Sequence, residues 1–99
     1  MSANDILNGF EEVVKKMENR VSGYESQIRK SVQNMSDSEK GEIRRFLIEL
    51  QGDMGMLDAD IIFHTRHIKS IDIERRLSLT DRCNDARKKV ALLIELIDP

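Results

Sequence analysis

Residues 43–71 read IRRFLIELQGDMGMLDADIIFHTRHIKSI. Ile43, Leu47, Leu50, Met54, Leu57, Ile61, His64, Ile68 and Ile71 recur in this stretch at alternating spacings of four and three. A half-buried strand would alternate at every second residue, whereas a period of about 3.5 belongs to helices packed lengthwise in near-parallel contact. The stretch therefore predicts one long amphipathic helix, and the rest of the chain must supply what it packs against.

Upstream, the segment 34–39 breaks the apolar pattern, and Ser36 with Glu39 has the spacing of a capping box. There the hydroxyl accepts an unpaired amide of the first turn while the carboxylate reaches back. A helix is expected to start here and run over about 37–71. Before it, Ile6, Phe10, Val13, Met17, Val21, Tyr24, Ile28, Val32 and Met35 fall on one stripe at 100° per residue, with Glu11, Glu12, Lys15, Lys16, Glu18 and Arg20 outside it. This predicts a first helix over about 4–34. Downstream the seam loses phase across 72–78, then resumes as Leu79, Cys83, Ala86, Val90, Leu93 and Ile97. A third helix over about 79–97 follows, capped by Ser78 or Thr80 and ended by Asp98-Pro99, with 72–78 either a turn or a bend. The expected architecture is all-α: an elongated antiparallel bundle or hairpin of three helices forming a single domain over 1–99.

Composition agrees. Charged residues make up 34% and aromatics 4%, with one proline and no tryptophan, a balance favouring helix over strand. Sixteen bases against eighteen acids leave a formal charge of -2, so no broad field exists to attract nucleic acid or anionic lipid. The local excess formed by Arg66, Lys69, Arg75, Arg76, Arg82, Arg87, Lys88 and Lys89 contains no aromatic residue to stack a base, and reads as a solvated helix face. No run approaches the roughly twenty apolar residues of a membrane span. The lone Cys83, with no apolar leader segment, fits a reducing, cytoplasmic setting. On the third helix's seam it reads as a small buried thiol rather than a nucleophile.

The only two histidines, His64 and His67, lie near Asp60. Imidazole and carboxylate suit zinc, but a closed site wants about four ligands and one helix offers three. His67-Ile68-Lys69-Ser70 is superficially similar to a histidine phosphotransfer signature. It departs where that pattern needs lysine and glycine, since Ser70 and Ile71 stand there. The simpler expectation is that His64 is a polar residue in the seam, fixing register, with Asp60 and His67 beside it in water. Phosphate-cradling glycine loops, paired CxxC motifs and nucleophile-base spacings are absent. The sequence assigns no catalytic, cofactor-binding or metal-ligating residue.

A second apolar line runs along the same central helix. Ile48, Gly52, Gly55, Ala59 and Ile62 also recur at four and three, roughly 150° around from the first seam, with Met56 and Phe63 on its border. Glycine inside a helix costs about 1 kcal/mol relative to alanine, so two on adjacent turns call for a reason. Either they are tolerated, or the third helix covers this face as in an ordinary bundle, or the helix is used from both sides, one by its own chain and the other by a protein partner or a second copy. The function expected is a non-enzymatic interaction module, whether adaptor, assembly subunit or small chaperone. The competing expectation is a helical bundle with a metal-binding or phosphate-accepting histidine.

Overall fold

A computed structural model describes residues 2–97. The chain forms α1 (Ala3–Ser31), a short 3-10 turn (Val32–Asn34), α2 (Asp37–Thr65) and α3 (Ile73–Ile97). Together they make an elongated three-helix bundle of 51 × 18 × 18 Å. Leu7 and Val14 of α1 pack with Leu57, Ile61, Leu79 and Cys83, while Val21 and Ile28 pack with Ile43, Leu47, Leu50, Met54, Val90, Leu93 and Ile97. α1 and α3 therefore run parallel, with α2 antiparallel to both. Half-buried Met17 borders both clusters and makes the core continuous.

Each helix starts where a side chain satisfies its first amides. Ser2 and Asp5 form a reciprocal capping box on α1. On α2, Ser36 accepts from the Glu39 amide at 3.1 Å, and its hydroxyl donates to the Glu39 carboxylate at 3.1 Å. The third helix begins earlier than the periodicity indicates. Asp72 Oδ1 accepts from the Arg75 amide at 3.1 Å, and the Arg76 amide bonds the Asp72 carbonyl at 3.0 Å. Ser78 and Thr80 are thus not caps: both lie inside α3, where the Thr80 hydroxyl donates to the Leu77 carbonyl. The expected end at Asp98-Pro99 lies outside the described residues. Asp72→Ala should destabilise the bundle by about 1 kcal/mol, the usual cost of a lost cap, lowering the thermal midpoint and speeding amide exchange in the first turn of α3.

α2 ends at Thr65 rather than Ile71, so 66–72 form the connection between α2 and α3. Two successive turns close it, Ile68 N–H to Thr65 O at 3.1 Å and Ile71 N–H to Ile68 O at 3.2 Å. Ile68 and Ile71 remain half-buried there, so their apolar phase outlives the helix that suggested it. His64 is exposed and the seam passes instead to Thr65, which is fully buried. A threonine can occupy that place because its hydroxyl donates to the Ile61 carbonyl at 2.6 Å, whereas an imidazole would bring two nitrogens needing partners.

In its first half the α1 seam is one residue off the expected stripe, with Leu7 and Val14 buried in place of Ile6 and Val13, while Val21 and Ile28 are buried as expected. Leu7, Val14, Val21 and Ile28 are buried at strict seven-residue intervals, with Phe10, Met17 and Tyr24 half-buried between them. Val13 is 39% exposed and Ile6 only half-buried. Helices α2 and α3 are the most intimately packed pair, and α1 and α2 the least. Side-chain size is consistent with this, for α1 carries the bulky half-buried Phe10, Met17 and Tyr24, while α3 carries the small Thr80, Cys83 and Ala86.

Candidate interaction face

The outward side of α2 carries the exposed apolar residues of the bundle's middle and one end. Ile48 is 50% exposed, Met56 68%, Ile62 46% and Phe63 58%, and Ala59 and Gly52 are exposed among them. They lie on the side opposite buried Leu47, Leu50, Met54, Leu57 and Ile61, which pack on α1 and α3. A Cβ built on Gly52 would meet nothing within 4 Å, so this turn of the helix is bare. Gly55 differs. The Arg87 guanidinium of α3 lies 3.6 Å from where its Cβ would be, so glycine here makes room for a side chain of its own chain. Arg87 and its Nε, which has no hydrogen-bond partner, mark the edge of the face, as does Asp58 with an unpartnered buried Oδ1. Sequence spacing placed Gly55 within the second seam but could not reveal Arg87, which reaches it from a different helix.

Two ends of α3 add smaller exposed pairs, Ile73 with Leu77 and Leu92 with Leu96. Each pair is spaced one helical turn apart on α3. Neither was visible as a seam, because each lies off the buried 4–3 line of that helix.

The histidines are brought among rings. His64 lies between Phe10, with centroids 6.1 Å apart, and Phe63, at 5.3 Å edge-on. His67 Nε2 accepts from Arg66 Nε at 3.1 Å, and the Arg66 guanidinium also covers the Phe63 ring at 4.8 Å. These contacts tie the end of α2 into one small aromatic and basic cluster. Among the described residues, no group of three or more histidine, cysteine, aspartate or glutamate side chains is placed to hold a metal ion. No helix among them is long and apolar enough to cross a membrane. Cys83 is buried, and desolvation, helped by the charges of Asp58 and Glu18, pushes its thiol up to about 11. At neutral pH it is a protonated core residue with little nucleophilic character.

Three of the six bases that α3 contributes to the local basic excess are paired with acids of α1. Glu11, Glu18 and Glu25 of α1 stand seven residues apart, and so do Arg75, Arg82 and Lys89 of α3. Arg75 meets Glu11 at 2.9 Å and also bonds Asn8; Arg82 meets Glu18 at 2.5 Å and Glu11 at 3.7 Å; Lys89 meets Glu25 at 3.6 Å. The hydrogen bonds from Arg82, reinforced by its charge and that of Lys15, hold the Glu18 carboxyl below its ordinary range, against some desolvation. Arg82 is correspondingly raised, chiefly by the same hydrogen bonds. This ladder holds α1 against α3 at three successive seven-residue steps, in the parallel direction that the core clusters and the short connections already impose.

Protein-family models, curated proteins and solved structures give no match to this chain.

Proposed function

We propose that this chain is a non-enzymatic, cytoplasmic interaction module that binds an amphipathic helix, from another protein or from a second copy, along the outer face of α2. Adaptors, assembly subunits and small chaperones work in this way. The observation that carries the reading is the exposure of Ile48, Met56, Ile62 and Phe63 together along one side of a helix whose other side is buried in its own bundle. Bare Gly52, one turn from Ile48 on that line, lets an incoming backbone approach more closely than the usual 8 to 10 Å between helix axes. The charged residues flanking the line would select partner and direction.

The test is a double variant, Ile48→Asp with Ile62→Asp. Both side chains are half-exposed, so the helical circular-dichroism signal and thermal midpoint should stay close to those of the parent. Association, read by sedimentation and by copurification from the native cell, should be lost. Unchanged association in a folded double variant would remove this face from the function.

A further inference from the structure

We infer that the occupant of the outer α2 face is a second copy of this chain, lying antiparallel to the first about a two-fold axis at Gly52. The inference rests on the interaction-module reading above and narrows it to one partner. Its basis is the self-complementarity of the face. In such a pair each residue meets the one equally far on the other side of position 52. Gly52 meets Gly52, Ile48 meets Met56, Arg45 meets Ala59, and Gly41 meets Phe63. At Arg45–Ala59 and Gly41–Phe63 a large side chain falls opposite a small one, Ile62 falls opposite Glu42, and the bare Gly52 turns meet at the centre, where the backbones are closest.

The charges follow the same alignment. Arg45 comes beside Asp60 of the second copy on one flank, and Asp37 beside Arg66 on the other; all four are exposed. Each contact occurs twice, as a two-fold interface requires. Along 37–67, this alignment sets no acid directly opposite an acid and no lysine or arginine opposite another. A parallel two-fold pairing would separate Arg45 from Asp60 and Asp37 from Arg66 along the rod and lose both matches, so the face selects direction as well as partner.

The dimensions are sufficient. Gly52 lies near the middle of α2, so the two rods overlap along their whole length. One side of the rod, 51 × 18 Å, is about 900 Å² in plan, an upper bound on the contact that reaches the roughly 800 Å² per partner of an ordinary stable interface.

The experiment combines sedimentation equilibrium with a cross-link. The parent chain should sediment as a concentration-dependent dimer. Gly52→Cys, treated with diamide as oxidant, should give a disulfide-linked dimer in high yield, because residues on the axis approach within the 4.4 to 6.8 Å that a disulfide spans. The parent should not cross-link, since its only thiol, Cys83, is buried. Arg45→Asp and Asp60→Arg should each weaken the dimer roughly tenfold, acting at two symmetry-related places, and the two changes together should restore it.

A chain that stays monomeric at millimolar concentration overturns the inference. So does a dimer in which Gly52→Cys fails to cross-link and the charge exchange brings no rescue. If a monomeric parent still binds a different helix, and Ile48→Asp with Ile62→Asp abolishes that binding, only the second-copy assignment falls and the broader reading stands. If the double variant changes no association of either kind, both fall.

Discussion

Leu50→Ala should lower the unfolding free energy by about 2 to 5 kcal/mol, the range for removing a fully buried leucine and leaving its cavity. Leu50 has no solvent exposure and lies in the larger of the two core clusters, among Leu47, Met54, Val90 and Leu93. In a domain of this length about 1 kcal/mol moves the thermal midpoint by 4 to 8 °C, so a fall of roughly 10 to 30 °C should appear in calorimetry. The same substitution at Ile48, measured at a concentration where the chain is monomeric, should move the midpoint by only a degree or two, because that side chain is then half in water. Equal losses at positions 48 and 50 would mean that the two sides of α2 are not distinguished as described.

Reversing the three α1 acids together, Glu11→Lys, Glu18→Lys and Glu25→Lys, should destabilise the bundle by about 2 to 4 kcal/mol at low salt. Half-exposed pairs contribute at most about 1 kcal/mol each, and reversal replaces each attraction with a repulsion of similar size. Concentrated salt should erase much of the loss. Restoration by Arg75→Glu, Arg82→Glu and Lys89→Glu in the same chain would identify the ladder as the cause. Acid gives an independent check on the parent. The Glu18 carboxyl titrates lower in the folded chain than in the unfolded one. Its contribution is therefore complete above the ordinary carboxylate range and disappears as pH falls through the folded value. Screening at a side chain 36% exposed keeps that contribution small for Glu18 alone. A triple variant as stable as the parent at low salt would show that the core alone holds α1 against α3.

The buried seams of α2 and α3 were legible because one long period left little choice of phase. Leu47, Leu50, Met54, Leu57 and Ile61, and then Leu79, Cys83, Val90, Leu93 and Ile97, are buried as their spacing predicts. Phase failed where two candidates stand side by side. Ile6 with Leu7, and Val13 with Val14, both fit a stripe at 100° per residue, and only the seven-residue identity of Leu7, Val14, Val21 and Ile28 separates them. His64 and Thr65 posed the same choice, decided by a hydroxyl bond to Ile61 that spacing does not encode. The early start of α3 was a matter of capping chemistry, for Asp72 satisfies the Arg75 amide where the apolar pattern has already lapsed. On the candidate face, Ile48, Gly52, Met56, Ala59, Ile62 and Phe63 were all readable from one helix, while the cover that Arg87 gives Gly55 depends on how α3 lies across it. The acid and base ladder was present in the sequence at matching intervals, but pairing it requires knowing that residues sixty-four apart are neighbours.

That ladder also has the limitation of any ruler whose marks are identical. Slide α1 along α3 by one repeat and two of its three rungs find partners again, so electrostatics alone tolerates the wrong notch. What forbids the slip must be irregular: Leu7 near one end, the bulky Tyr24, and the tight link through Ser36 that tethers α1 to its neighbour. Grafting residues that erase those irregularities while keeping every rung would yield a rod with correct polarity and several competing alignments.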